Sequence, residues 1–403
     1  MGGIHVYIRQ LSTHPDLIQA GCEIAVLCQR CLDKAGDFGF ENLEIHQLEG
    51  NHLELLTQEF EERTASLPRE ARGKVAREMF PEGAVQDNVQ LLTHEFAEFL
   101  ESNHVDIIHV HNSYVIFPQV LKNNSLQLAQ LKIPVIFSVH SAPFYLSLSE
   151  KEYVHLYHFL RECNDVFDVI HAVSKDVQNR LLADVGVESK LMYIGTDTHL
   201  FRPTPKDTHL LDRHSLSPRH KIMLFVGRLT REKGLDDFID TVMYLHEHLD
   251  DDIIGLIVGD GPYRGSIESM VEKRAIGNTI RLLPPIDYKQ LPVYYNLADA
   301  FMLLTRREAL GLVLLEAMAC EKTCIVSDLP ATREVISDGV NGFLVDPRDL
   351  DKIRQIVRDQ LEKEDHRMLT ASARKTVVSQ FNFDAHVREL FSLYGQVYQE
   401  KKT

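Results

Sequence analysis

Short apolar runs alternate with amphipathic stretches along most of this chain. In the first half, "EIAVLC", "DIIHVH", "IPVIFSVH" and "DVIHAVS" have the β-branched, uninterrupted apolar character of buried strands, and "LMYIG" follows as a later one. Residues 202–221, "RPTPKDTHLLDRHSLSPRHK", interrupt the pattern with prolines and charge, as a linker would. The second half restarts it with "IMLFVGRL", "IIGLIVGDG", "IRLLPP", "AFMLLT", "TCIVSD" and "GFLV". Helical stretches such as "LDDFIDTVMYLHEHL" lie between these runs.

Continuously apolar strands separated by helices indicate parallel sheets covered on both faces. Two such series in succession predict an α/β protein of two doubly wound, Rossmann-like domains with an inter-domain cleft. Ligands of such sheets bind beyond the carboxyl ends of the strands. The expected division is residues 1–203, residues 204–380 and a terminal helix over 381–403. In that tail Val387, Leu390, Phe391, Tyr394, Val397 and Tyr398 recur at helical spacing, so an apolar stripe must pack on something.

Two stretches carry chemistry. "FVGRLTREKGL" follows a strand, turns at Gly227 and offers Arg228 and Lys233 before a helix, an arrangement suited to an anion such as a phosphate or diphosphate. It lacks the GKS or GKT ending of a P-loop. "AFMLLTRREALGLVLLEAMAC" repeats the geometry of strand, polar loop, glycine and helix. Glu308 lies in the loop, and Gly311, Leu312 and Val313 open the helix with free N–H groups. Glu316 sits among Leu314, Leu315, Ala317 and Met318, and a buried carboxylate is costly unless it is hydrogen-bonded, paired or neutralised. The two carboxylates, about 12 Å apart along a helix axis, would hold hydroxyls at two places on one elongated ligand.

Composition narrows the field. A length of 403 residues is too great for one ordinary core, and a net charge of −16 argues against general nucleic-acid binding. Arg63, Arg69, Arg72, Lys74 and Arg77 cluster, but Glu61, Glu62, Glu70 and Glu78 are interleaved, so a solvated helix face or at most peripheral membrane contact is expected. "MGGIHVYIRQ" has no apolar secretory core, and a cytoplasmic location is expected. Six cysteines fit a reducing compartment. "CQRC" has metal spacing but no second ligand pair nearby, and "LDDDII" sits at a helix-to-strand connection, so no metal site is expected from either.

The second half resembles the nucleotide-sugar domain of the family 4 retaining glycosyltransferases, which have the GT-B fold. The matching segments are "FVGRLTREKG", "LIVGDGP", "YYNLADAFML", "EALGLVLLEAMAC" and "REVISDGVNGFLV", in order and at matching spacing. In the first half, "MGGIHVYIRQL" is similar to the glycine-rich loop and first helix of the branch that includes mycothiol and sucrose synthesis enzymes. "DIIHVHNSY" and "VIFSVHSAP" match the family's strand-end histidines, and "IGTDTHLFRP" its inter-domain signature.

The resemblance implies a retaining hexosyltransferase that moves a sugar from a UDP- or GDP-sugar to an acceptor hydroxyl on a polysaccharide, lipid or small molecule. It implies that Arg228 and Lys233 hold the donor diphosphate, with the backbone of Gly311, Leu312 and Val313 and the close-approaching Gly2 and Gly3. Glu316 would bind the nucleotide ribose, Glu308 would contact the donor sugar, and His140 would stand near the reacting carbon. His109 and His111 are expected to be structural. No cofactor and no metal are expected, the nucleotide-sugar being a substrate. No carboxylate pair suggests a covalent glycosyl-enzyme; the cations and helix N-terminus would stabilise the leaving diphosphate. The tail helix would cross back to the N-terminal domain.

The chain departs from the family at four places. The family has a strand before its GG loop, so the recorded start lies downstream of that strand, the reading favoured here, or "IHVYI" forms a strand in place of a helix, or the N-terminal domain is defective. Ile194 stands where an asparagine is usual, Glu321 where a glycine is usual, and "DLPATREV" lacks the usual paired glycines. The alternative function is a catalytically inactive GT-B protein that binds a nucleotide-sugar or a partner.

Overall fold

The computed structural model describes residues 7–8, 10–11, 13–20, 25–29, 44–48, 84–111, 117–140, 160–250, 252–362 and 367–403. Gly2, Gly3, Cys31 and the basic stretch 63–77 lie outside the described residues. The chain divides into two compact units, one containing the described residues up to Met192 together with Val387–Thr403, the other Tyr193–His386.

In the first unit β1 (Ala25–Gln29) and β2 (Glu44–Leu48) form a parallel pair. A second parallel sheet contains β3 (Ile108–His111), β4 (Val135–Val139), β5 (Val169–Ala172) and β6 (Lys190–Leu191) in the order β3-β4-β5-β6. Every residue of β4 is buried, as expected of a central strand covered on both faces. The helix Ala84–Ser102 turns Val89, Leu92, Phe96 and Leu100 inward at spacings of three and four, and all are 4% exposed or less. Tyr7, Ile8, Gln10 and Leu11 are helical, while Ile4, His5 and Val6, the rest of "IHVYI", lie outside the described residues. β2 was not foreseen, because "EIHQL" has no continuous apolar run.

The second unit has a six-stranded sheet: β7 (Lys221–Val226), β8 (Ile253–Val258), β9 (Ile280–Leu283), β10 (Ala300–Leu303), β11 (Thr323–Ser327) and β12 (Phe343–Val345). Its order is β12-β11-β10-β7-β8-β9 and every pairing is parallel. Strand order reverses between β7 and β10. In an open α/β sheet that reversal opens a crevice at the carboxyl ends of the two strands, where ligands bind.

The segment 202–221 is not a loose linker but part of this unit. Asp207 caps the helix Thr208–Arg213 by accepting from the Leu210 N–H at 3.1 Å, and Leu210, Leu211 and Leu216 are buried. Thr204 donates its N–H to Asn296 at 3.0 Å, and Lys206 pairs with Asp299 at 2.9 Å. The division of the chain falls instead after Met192 and within the terminal helix Phe383–Lys402, after His386. The cause is local: the Thr196 N–H donates to the Phe381 carbonyl at 2.9 Å and the Phe383 N–H to the Thr196 carbonyl at 3.1 Å. His386 bonds the Tyr193 carbonyl at 3.0 Å. These bonds tie residues 193–196 to the start of the terminal helix.

Candidate functional site

The loops that leave β7 and β10 meet at the reversal point. After β7 the chain passes Gly227 and the exposed Arg228 into a short turn, Arg231–Lys233, closed by Gly234 at φ +68°. A Cβ on residue 234 would run into the carbonyl of Leu304, so glycine lets this turn sit directly on the end of β10. The loops are then bonded together. The Glu232 carbonyl accepts from the Arg306 N–H at 2.8 Å and from the Thr305 hydroxyl at 3.0 Å, and Arg306 pairs with Asp237 at 2.9 Å. This brings the Lys233 ammonium to 2.8 Å from the Glu308 carboxylate. Their side chains are only 20% and 11% exposed, so the pair is held more firmly than a surface ion pair.

Gly311 at φ +85° starts the helix Leu312–Ala319 without a side-chain cap. A Cβ there would lie 3.3 Å from Glu308 Cγ, so glycine also makes room for Glu308 against the helix start. The helix is apolar nearly all round and therefore buried, and it carries Glu316 into the interior at 6% exposure. The fully buried Tyr295, from the helix Leu291–Leu297, donates its hydroxyl to Glu316 at 2.7 Å. Burial pushes the Glu316 carboxyl up to about 8, and the Tyr295 hydrogen bond only partly opposes it. The same burial, with the carboxylate beside it, raises the Tyr295 phenol well above its usual range. The site thus has a partly exposed cation–carboxylate pair and a more deeply buried carboxyl that is protonated at neutral pH.

Within the first unit, histidines stand at the ends of β3 and β4. His140 is 8% exposed, and its Nε2 lies 2.8 Å from Nδ1 of His111. The Tyr7 ring meets both imidazoles edge-on, at centroid distances of 4.9 Å to His140 and 5.5 Å to His111.

Residues 209–376 match the family model for glycosyl transferases group 1, and residues 1–200 match the model for Glycosyltransferase Family 4. This chain is a family 4 glycosyltransferase.

The N-acetyl-alpha-D-glucosaminyl L-malate synthase of Bacillus anthracis is 25% identical to this glycosyltransferase over 316 residues, 77% of this chain and 80% of the relative. The GDP-mannose-dependent alpha-(1-6)-phosphatidylinositol monomannoside mannosyltransferase of Mycobacterium tuberculosis is 27% identical over 242 residues, 57% of this chain and 62% of the relative. Among solved structures, Anabaena HepE in complex with UDP and glucose superposes with a TM-score of 0.70 at 15% identity, covering 98% of this chain and 96% of that one. The fold is therefore GT-B, with two parallel-sheet α/β domains.

Of the residues singled out from the glycosyltransferase sequence, Lys233, Glu308, Gly311, Leu312 and Val313 converge on the reversal point, and Glu316 follows on the same helix. Arg228 stands on the β7 loop five residues before Lys233. His140 belongs to the other unit, and Gly2 and Gly3 lie outside the described residues. Tyr295 was missed: its helix reads as ordinary apolar filling, and nothing local marks its hydroxyl for a carboxylate 21 residues away. Among the described residues no group of three or more His, Cys, Asp or Glu side chains could hold a metal ion, and no helix is long and apolar enough to cross a membrane.

Proposed function

We propose that this family 4 glycosyltransferase moves a sugar, with retention, from a UDP- or GDP-sugar to an acceptor hydroxyl. The observation that carries the reading is the Lys233–Glu308 pair beside the uncapped Gly311 helix start, at the point where strand order reverses. In this reading Arg228, Lys233 and the N–H groups of Gly311, Leu312 and Val313 take the diphosphate, with Gly2 and Gly3 approaching it by backbone. The diphosphate draws Lys233 away from Glu308, whose carboxylate then accepts from donor-sugar hydroxyls. Glu316 accepts from the two ribose hydroxyls, which supply the hydrogen bonds its ionised form needs. His140 stands near the reacting carbon.

Catalysis is electrostatic. The cations and the helix N-terminus stabilise negative charge as it develops on the leaving diphosphate. The acceptor hydroxyl attacks from the face that the diphosphate leaves, and the diphosphate takes its proton, so no covalent glycosyl-enzyme and no metal enter the scheme. The named activities of relatives with GDP-mannose and the UDP bound in Anabaena HepE support a nucleotide-linked donor and leave both bases in play.

The deciding experiment is thermal unfolding against UDP, GDP, ADP and their sugar conjugates. A ligand at 100 times its Kd adds about 2.7 kcal/mol to the state that binds it. One base should raise Tm clearly, and Glu316→Ala should abolish that shift. No shift with any nucleotide would defeat the reading. Glu308→Gln should then leave nucleotide affinity nearly unchanged while transfer is lost, whereas equal transfer by Glu308→Gln would remove Glu308 from the reaction.

A further inference from the structure

One face of the β3-β4-β5-β6 sheet is polar where a covered parallel sheet is ordinarily apolar. His109 and His111 stand two residues apart on β3, Ser138 lies on β4 with His140 two residues on, and His171 lies on β5. In register, His111 faces Ser138 and Ser138 faces His171. Ser138 and His171 have no measurable exposure. Polar groups so deeply buried need partners, and the structure supplies them as one continuous chain. His171 Nε2 lies 2.6 Å from the Met192 carbonyl, and His171 Nδ1 lies 2.6 Å from Ser138 Oγ. Ser138 Oγ lies 2.7 Å from His109 Nε2, and His109 Nδ1 lies 2.6 Å from the hydroxyl of Tyr394 on the terminal helix.

The fixed end of this chain sets its proton order. A carbonyl only accepts, so His171 Nε2 carries a proton toward Met192. Burial pushes the His171 imidazole down to about 4, so the ring is neutral and its Nδ1 accepts. Ser138 must donate to it, which commits the single serine proton. Ser138 Oγ is then the acceptor for a proton on His109 Nε2. A phenol hydroxyl is a better donor than acceptor, which makes His109 Nδ1 the acceptor of the Tyr394 hydroxyl. Beyond His109 the order passes on by contact: its ring lies 4.0 Å from that of His111, centroid to centroid, and His111 bonds His140.

We propose that Tyr394 is a positioning residue, whose hydrogen bond to His109 fixes the orientation of the histidine layer that holds His140 in place. The importance of this for turnover rests on the reading of His140 as the residue beside the reacting sugar. A phenylalanine would fill the same helix stripe, so packing alone does not require the hydroxyl.

The test uses the full chain with ¹⁵N-labelled histidine, comparing wild type, Tyr394→Phe and Ser138→Ala by long-range ¹⁵N–¹H correlation and by steady-state kinetics. In the wild type both His109 and His171 are expected as the Nε2–H tautomer. Tyr394→Phe should move the ring signals of His109 and His140 and leave those of His171 in place, because Met192 still anchors it. Turnover should fall roughly ten- to a hundredfold at unchanged donor KM, as for a reacting group displaced by a fraction of an ångström to an ångström. Ser138→Ala, which breaks the chain on the other side of His109, should move the His109 and His140 signals as well.

A wild-type His109 in the Nδ1–H form overturns the proposal, as do unmoved His109 and His140 signals in Tyr394→Phe. So does displacement of those signals with kcat unchanged. If the wild type turns over no donor at all, the transfer reading is what fails. The His109 and His140 ring signals of Tyr394→Phe still decide whether Tyr394 positions the layer.

Discussion

Glu316 shows how one side chain links burial, protonation and ligand binding. Its carboxyl is ordinarily half-ionised near 4.5 and is raised to about 8 here, so the folded chain binds a proton more tightly than the unfolded one. Stability is therefore fully retained below about 4.5 and declines as pH rises through about 8. Urea unfolding across that range should show the decline, and Glu316→Gln should flatten it. Binding has the opposite slope. Ribose hydroxyls donate to the ionised carboxylate, so nucleotide affinity should strengthen as pH rises toward 8 and then level, measurable by calorimetric titration. Glu321 offers a simpler test. It holds φ +56°, a left-handed conformation that strains a residue with a Cβ. Glu321→Gly should raise stability by up to about 1 kcal/mol, read as a higher urea midpoint at unchanged m-value.

At the scale of elements, the site depends on two glycines that let one segment lie on another. Gly234 seats the turn Arg231–Lys233 on the end of β10, and Gly311 lets Glu308 lie against the helix Leu312–Ala319. Gly234→Ala adds left-handed strain and a collision with backbone, which cannot move aside as a side-chain tip can. It should cost at least about 2 kcal/mol and weaken nucleotide binding, because the turn that presents Lys233 would lift from Glu308. Equilibrium unfolding and a nucleotide titration of the same variant check both. Gly311 and both loops were legible in the sequence, because strand, polar loop and helix are consecutive, whereas the β7 turn was read at Gly227 and Gly234 was not singled out. The Tyr295 hydroxyl was not. Its helix announces only an apolar face, and the partner of a buried hydroxyl is chosen by how two helices pack. The terminal helix is a similar case: its stripe was legible, yet Phe391 is 42% exposed and Leu393 is buried instead.

The whole molecule is two units with separate cores, and the chain passes between them after Met192 and after His386. Two cores of this size need not melt together. A nucleotide that occupies the site at β7 and β10 should stabilise the Tyr193–His386 unit, so calorimetry should show that transition moving upward with nucleotide. Ser138→Ala should instead lower the transition of the unit that contains β3, β4 and β5. A single transition that moves as one under both changes would mean that the units unfold as one cooperative body.

The sequence alone determined the α/β class, the two series of strands, the cationic β7 loop and the acidic β10 loop, and the oddity of a carboxylate in an apolar helix. These are local features: strand and helix periodicity, turn glycines and charge can each be read within a dozen or so residues. Only the tertiary structure decided that Lys233 meets Glu308 across 75 residues, that Tyr295 satisfies Glu316, and that Tyr394 closes a hydrogen-bond chain to His109 across 285. It also decided that the proline-bearing segment 202–221 packs into a unit while the true division lies at residues 192 and 386. Periodicity says which face of an element is buried. Which buried polar atom meets which is set when strand order, register and helix packing bring distant segments within 3 Å, a distance that no local pattern encodes.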